Sequence, residues 1–276
     1  MTFQEILKKS VDVLKKAGIE TPVLDAEVII AHAADIERHR IIIDGPNEVA
    51  GVLEKKITSL IKRRAEGVPV AYLTGEREFY SLSFTVNEHV LIPRPETELL
   101  VDMAVYYAPQ NGRVLDLGTG SGCIAAALKY SRKDLKVSAS DVSEEALNTA
   151  IGNSNLIFSE SDIDFRCGDL FEPWKGELFD VIISNPPYID PAEADNLDLS
   201  CEPSLALYCD KEGLSVTRKL IEEAEAYLSA DGIIILEIGS NMKDFILELG
   251  GELGYHVSVL NDYSGLPRVA TLRKPE

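Results

Sequence analysis

The chain has 276 residues, 45 % of them hydrophobic and 26 % charged, and its formal net charge is -19. That balance excludes a disordered or low-complexity chain and leaves enough apolar side chain for a sizeable core, divided into two domains. No apolar run is long enough to span a membrane and the N-terminus lacks a signal-peptide pattern, so a cytoplasmic protein with no membrane partner is expected.

In chain order, Thr2-Phe3-Gln4-Glu5 is a capping box that opens a helix carrying Ile6, Leu7, Val11 and Leu14 and ending at Gly18. Thr21-Pro22 starts a second helix, with Leu24, Val28, Ile29 and His32 among its periodic positions. A third covers residues 48–65, before Gly67. These helices are expected to form a small bundle over residues 1–75. Phe79 to Val86 approaches strand alternation, which predicts a connecting β-hairpin over residues 76–92, and residues 93–276 are then the second domain.

That second domain alternates strands with helices, so its fold class is α/β with a parallel sheet covered on both faces. Arg113 to Leu117 is an apolar strand that turns through Gly118-Thr119-Gly120-Ser121-Gly122 into a helix starting at Cys123. The glycines at 118, 120 and 122 let backbone approach a ligand at a helix N-terminus. Their spacing departs from the dinucleotide fingerprint and fits a nucleoside with no pyrophosphate, although a tight strand-helix turn has the same composition. Leu135 to Asp141 is a second strand ending in an acid suited to two ribose hydroxyls. Asp162 to Cys167 is a third, followed by Gly168-Asp169-Leu170; Asp169 could reach an adenine amino group and Leu170 could pack on its ring, or the pair is a polar turn and a core leucine. Trp174 beyond it reads as a packing anchor.

Leu178 to Ile183 is the fourth strand, and it runs straight into Asn185-Pro186-Pro187-Tyr188. An amide or amino-purine nitrogen is a poor nucleophile because its lone pair is delocalised, so it must be held in line with a methyl donor and encouraged to pyramidalise. The Asn185 oxygen and the Pro186 carbonyl could accept its two N–H bonds. The Pro-Pro step keeps both acceptors pre-aimed, and Tyr188 could lie against the planar group. Alone, the tetrad is equally compatible with an irregular turn. Residues 189–212 form a longer irregular stretch that suggests a lid over the substrate. A helix over Gly213 to Leu228, a strand over Gly232 to Glu237 and an antiparallel hairpin of Tyr255–Leu260 with Arg268–Leu272 complete the domain. The polar loop Asn261 to Pro267 lines a substrate entrance or simply joins the hairpin. The four cysteines have no zinc-type spacing, and Cys123 and Cys167 fall on elements expected to be buried; reduced thiols and no metal are expected. His39 lies in a charged, solvated stretch.

In this order the glycine loop, the acid at 141 and the tetrad resemble the class I S-adenosylmethionine-dependent methyltransferases. Ala71-Tyr72-Leu73-Thr74-Gly75-Glu76-Arg77-Glu78-Phe79-Tyr80, Leu91-Ile92-Pro93-Arg94-Pro95-Glu96-Thr97-Glu98 and Glu202-Pro203 with Leu205-Ala206-Leu207 narrow the resemblance to the release-factor glutamine methyltransferases, the PrmC/HemK family, over almost the whole chain. The resemblance implies a Rossmann-like fold with a seven-stranded mixed sheet, an N-terminal helical substrate-recognition domain and the β-hairpin linker. It also implies methylation of the glutamine amide in the Gly-Gly-Gln motif of class 1 peptide chain release factors, with S-adenosyl-L-methionine consumed and S-adenosyl-L-homocysteine released. Carried over by position, Gly118, Thr119, Gly120, Ser121, Gly122, Asp141, Asp169, Leu170 and Asn185 bind the cofactor, and Asn185, Pro186, Pro187 and Tyr188 form the catalytic tetrad. Leu170 departs from the aromatic residue of some relatives, which puts adenine stacking there in doubt. Arg94, Glu96 and Thr97 face the cofactor's methionine end or cap and pair locally.

Methylation of the adenine amino group in DNA or RNA is the alternative, because the same tetrad serves that chemistry. The net charge argues against a nucleic-acid partner, since phosphate contacts dominate such binding and the concentrated basic runs are confined to Lys55-Lys56 and Lys62-Arg63-Arg64. An acidic surface suits a basic protein partner. A scaffold that has lost activity is the third reading, and the intact motifs argue against it. No strong general base is evident beside the tetrad.

Overall fold

A computed structural model describes residues 1–190, 199–209 and 214–275, which form two compact units. The first is Met1–Glu76 together with the 3-10 turn Leu199–Cys201. Its helices are α1 (Phe3–Lys16), α2 (Pro22–Ala34), α3 (Arg40–Ile43), α4 (Gly51–Ala65) and α5 (Val70–Thr74). Thr2 caps α1 with the full capping box, its side chain accepting from Glu5 N while the Glu5 carboxylate accepts from Thr2 N. Ile6, Leu14, Ile29, Ile30, Ile57 and Ile61 close the core of the bundle. His32 is exposed rather than part of the apolar face of α2, because Ile29, Ile30 and Ala33 fill that side. Arg64 also departs from expectation. It leaves the basic run of α4 to lie buried against Asp25 at 2.7 Å, a pairing that no local pattern in the sequence announces.

The second unit starts at Arg77, inside the two-stranded sheet of β1 (Glu76–Phe79) and β2 (Leu82–Thr85). Tyr80 and Ser81 both take positive φ at its turn, and Phe79 and Phe84 pack edge to face in the unit's core. There follow α6 (Glu98–Tyr107), β3 (Arg113–Leu117), α7 (Cys123–Ser131), β4 (Lys136–Asp141), α8 (Glu144–Ile157), β5 (Asp164–Cys167), β6 (Phe179–Ser184), α9 (Ser204–Leu207), α10 (Ser215–Ala224), β7 (Leu228–Glu237), α11 (Lys243–Glu252), β8 (His256–Asn261) and β9 (Pro267–Arg273). The seven-stranded sheet has the order β5-β4-β3-β6-β7-β9-β8, parallel except where β9 pairs antiparallel with β7 and β8.

The central strands read as unbroken apolar runs because both faces are covered. Val114, Val181, Ile183, Ile233 and Ile235 point into one core, and Leu115, Leu117, Ile182, Ile234 and Leu236 into the other. Each of these fully buried aliphatic side chains contributes roughly 2 kcal/mol. Trp174 is fully buried, as a packing anchor should be, and donates from Nε1 to Ser140 Oγ at 3.0 Å. Cys167 is exposed, not buried, because β5 is the edge strand of the sheet. The third strand begins at Asp164 and the fifth already at Leu228.

Register sets the geometry of everything that follows. Leu117 of β3 stands beside Ser140 of β4 and Ser184 of β6, and Ser184 stands beside Leu236 of β7. The residues that come next, Gly118, Asp141, Asn185 and Glu237, therefore leave the sheet at one level, at the carboxyl edge where strand order reverses about β3.

Candidate active site

A cleft of about 610 Å³ lies along that edge, within the second unit. Gly118, Thr119, Gly120 and Ser121 border it from the loop after β3, Asp141 and Val142 from the end of β4, Asp169 and Leu170 from the turn after β5, and Asn185, Pro186 and Pro187 from the end of β6. Sequence-distant signatures thus converge because the strands carrying them are neighbours in register.

The glycine loop is held from below and from the side. Asp116 is fully buried under it, accepting from Thr119 Oγ1 at 2.6 Å and Ala125 N at 3.2 Å, and burial pushes its carboxyl up to about 7. Asp141 accepts from Gly120 N at 2.8 Å and from Ser143 N at 2.9 Å; burial raises its carboxyl above the ordinary range. Asn153 of α8 donates to the Ser121 carbonyl at 2.9 Å. Gly118 and Gly120 both take positive φ, and a Cβ on either would meet no atom within 4 Å, so each leaves open space toward the cleft. Gly122 differs from the expectation placed on it. It does not border the cleft, and a Cβ there would come within 2.9 Å of Ala150, so this glycine lets α8 pack against the loop.

The contacts of the site fit a cationic nucleoside. Acidic Glu88, Asp141, Glu145 and Asp169 border the cleft with Arg94, and Leu170 and Val142 add apolar surface. Such a lining disfavours a pyrophosphate and suits a sulfonium. Asp169 is paired with Lys219 at 2.6 Å while bordering the cleft, and Leu170 sits there at φ +45°.

At the tetrad, the Asn185 Nδ2 donates to Thr97 Oγ1 at 3.3 Å, and the Thr97 hydroxyl donates to Glu237 Oε2 at 2.7 Å. Tyr188 does not border the cleft, contrary to the expectation that its ring covers a planar substrate. Its hydroxyl donates to Glu237 Oε1 at 2.9 Å and receives Arg268 Nη1 at 3.5 Å, and its ring packs on the apolar core beneath. Burial raises the Glu237 carboxyl, and burial together with the Glu237 charge raises the Tyr188 phenol. Arg268 is held by Asp262 at 3.2 Å, so the polar loop after β8 reaches the tetrad through this arginine.

Arg94 borders the cleft and pairs with Glu202 at 2.5 Å, while Glu202 Oε2 accepts from Ile92 N at 3.0 Å. Thr97 is buried and Glu96 exposed. The expected lid, residues 189–212, falls partly on residues 191–198 and 210–212, outside the described residues. Its described part includes α9 and a bridge between Ile189 and Tyr208, and Pro203, Leu205 and Ala206 border the cleft. Sequence reasoning gave no site role to Glu237 or Arg268, and it read Glu202 only as part of a family signature. The signal for Glu237 was present, since an acid ending Ile233-Ile234-Ile235-Leu236 is the same pattern that singled out Asp141. Among the described residues, no group of three or more His, Cys, Asp or Glu has metal-binding geometry, and no helix is long and apolar enough to cross a membrane.

Comparison with known proteins agrees with this geometry. The PrmC N-terminal domain family matches residues 5–75, and the methyltransferase small domain family matches residues 95–199. The release factor glutamine methyltransferase of Koribacter versatilis is 35 % identical, with 100 % of this chain and 99 % of the relative covered. That of Neisseria gonorrhoeae is 37 % identical over 98 % of this chain and 96 % of the relative. Among solved structures, a methyltransferase from Pyrococcus furiosus superposes with a TM-score of 0.55 at 21 % identity, covering 71 % of this chain and 90 % of that one, which is a likeness of fold. End-to-end identity at this level places the chain in the family of the release factor glutamine methyltransferases.

Proposed function

We propose that this methyltransferase transfers the methyl group of S-adenosyl-L-methionine to the side-chain amide nitrogen of the glutamine in the Gly-Gly-Gln motif of class 1 release factors. The observation that carries the reading is Asn185, set on the rim of the cleft with its NH2 group committed to Thr97 and its oxygen left to accept. Membership of the family supports the substrate. In this reading Gly118, Thr119, Gly120, Ser121, Asp141, Asp169 and Leu170 hold the cofactor, Asp141 taking the ribose. Residues 1–75 recognise the factor, 76–92 link, and 93–276 catalyse; the family match over residues 5–75 supports the first of these assignments. A cytoplasmic location follows from the substrate.

When bound, S-adenosyl-L-methionine supplies an activated methyl group and departs as S-adenosyl-L-homocysteine, so no covalent enzyme intermediate is required. The residues of this chain contribute orientation. The Asn185 oxygen accepts one N–H of the target amide and polarises its nitrogen, and Pro186 and Pro187 restrict the backbone that presents it. Apolar Pro203, Leu205 and Ala206 exclude water from the rim. Once alkylated, the nitrogen sheds one proton to water, and the neutral amide is restored.

Transfer of labelled methyl to a purified class 1 release factor, beside a Gln→Ala variant of its motif and beside adenine-containing DNA and RNA, tests the reading. Label on the unaltered factor alone is expected. Label on nucleic acid alone would establish the adenine reading instead; against it stands the charge, nearly all of which falls beyond residue 76, and the withdrawal of Arg64 from the basic run of α4.

A further inference from the structure

Glu237 borders neither the cleft nor any expected ligand, yet it is almost fully buried and two hydroxyls converge on it. Counting protons along the chain of hydrogen bonds gives it a task. With Glu237 ionised, the form that the Thr97 and Tyr188 hydroxyls and the Arg268 charge favour against its burial, the carboxylate only accepts, and the single proton of the Thr97 hydroxyl is directed to it at 2.7 Å. Thr97 Oγ1 is thereby limited to accepting, and the group it accepts from is the Asn185 NH2. The same logic holds on the other side, where Tyr188 accepts from Arg268 and donates to Glu237. An asparagine amide is nearly symmetrical in shape, so its side-chain orientation is decided by such partners alone.

We propose that Glu237 is a positioning residue for methyl transfer: acting through Thr97, its carboxylate turns the Asn185 amide so that the oxygen, not the NH2, faces the target nitrogen. The proposal rests on the reading that this nitrogen belongs to a bound amide. With the opposite orientation two NH2 groups would confront each other and the acceptor would be lost. The groups facing Glu237 are Thr97 from the 3-10 turn Pro95–Thr97, Tyr188 from the loop after β6 and Arg268 from β9, with Glu96 and Asp262 the further charges nearby. Arg268, ion-paired with Asp262, is the cation whose charge favours the ionised form of Glu237.

Glu237→Gln makes the sharpest test, because it keeps shape and turns one of the two acceptors into a donor. Tyr188, which accepts from Arg268 and donates to residue 237, retains the remaining oxygen, so the NH2 falls to Thr97. The new NH2 donates to Thr97, Thr97 then donates to Asn185, and the Asn185 amide turns over. In the full-length protein with S-adenosyl-L-methionine added, solvent exchange of the Asn185 side-chain NH2, followed by nitrogen-15 NMR, should be slow in the unaltered chain and in Thr97→Ser. It should be at least tenfold faster in Glu237→Gln and Thr97→Val. In parallel, kcat on the release factor should fall at least tenfold in those two variants and recover in Thr97→Ser, while the cofactor Kd stays within about threefold. Asn185→Asp combined with Glu237→Gln should be more active than Asn185→Asp alone, because the reversed chain donates to a carboxylate. Unchanged exchange or unchanged kcat in Glu237→Gln, or losses that simply multiply in the double variant, would overturn the proposal. The expected exchange pattern without any label on the factor would instead overturn the glutamine reading and leave the orientation of Asn185 standing.

Discussion

Removing the side chain of Asn153 should damage both the fold of the second unit and its cofactor affinity. Asn153 is 1 % exposed and makes three hydrogen bonds: its Oδ1 accepts from Thr85 N at 2.8 Å, and its Nδ2 donates to the carbonyls of Thr85 at 2.9 Å and Ser121 at 2.9 Å. One side chain on α8 thus ties the hairpin strand β2 to the glycine loop. At about 1 kcal/mol net for each hydrogen bond, Asn153→Ala should cost about 3 kcal/mol, with the buried Ser121 carbonyl losing most because water cannot replace its partner. Asn153→Asp keeps the acceptor for Thr85 N but sets a carboxylate against two carbonyl oxygens, and should cost at least as much. Trp174 is the only tryptophan and is buried in this unit, so its fluorescence during urea unfolding reports on the second unit by itself. Calorimetric titration with S-adenosyl-L-methionine should show a severalfold weaker Kd, since Ser121 belongs to the loop proposed to hold the cofactor. A loss below about 1 kcal/mol with unchanged affinity would refute this account of the tie.

Asn185→Ala should lower kcat about a hundredfold while leaving cofactor affinity nearly intact, the usual scale for one pre-aimed hydrogen-bonding group. Asp141→Ala, which removes the acceptor of Gly120 N and Ser143 N, should chiefly weaken cofactor binding, by roughly 2 kcal/mol; similar Kd losses in both variants would contradict the division of roles. Asp116, whose carboxyl burial raises from 3.8 to about 7, binds its proton more tightly in the folded state. Its contribution to stability is therefore full below pH ~4 and is lost as the pH rises toward ~7, by up to about 4 kcal/mol, and urea titrations across that window should show a slope that Asp116→Asn flattens. In the first unit, Arg64→Ala should cost about 3–5 kcal/mol, because it leaves Asp25 charged, buried and unpaired. Differential scanning calorimetry should show that loss largely recovered in Arg64→Met combined with Asp25→Leu, and equal losses in the two would be the contrary result.

Local chemistry was enough for much of this molecule. The capping box at Thr2, the apolar runs of β3, β6 and β7, and the glycines of the loop after β3 are all properties of short segments, and short-range sterics and hydrogen bonding decide them wherever the segment sits. For the same reason Gly118, Asp141 and Asn185 were legible as candidates: each is a strand-end residue of unusual type. What they are candidates for also came from the order of such segments along the chain, through the resemblance to a known family.

Other roles depend on neighbours far away in sequence, and no local pattern encodes those. Gly122 is required by Ala150 and not by the cleft, Tyr188 turns to Glu237 instead of outward, and Arg64 abandons a basic stretch for Asp25. Glu202 meets Arg94, and Thr97 joins Asn185 to Glu237, across about ninety to one hundred and forty residues of chain. Sequence by itself determined which strands form and what each carries at its end. Only the tertiary structure decided which ends meet, because the register of β3, β4, β6 and β7 is set by the packing of both faces of the sheet, and a side chain's hydrogen-bond partner is whatever that register brings within 3 Å.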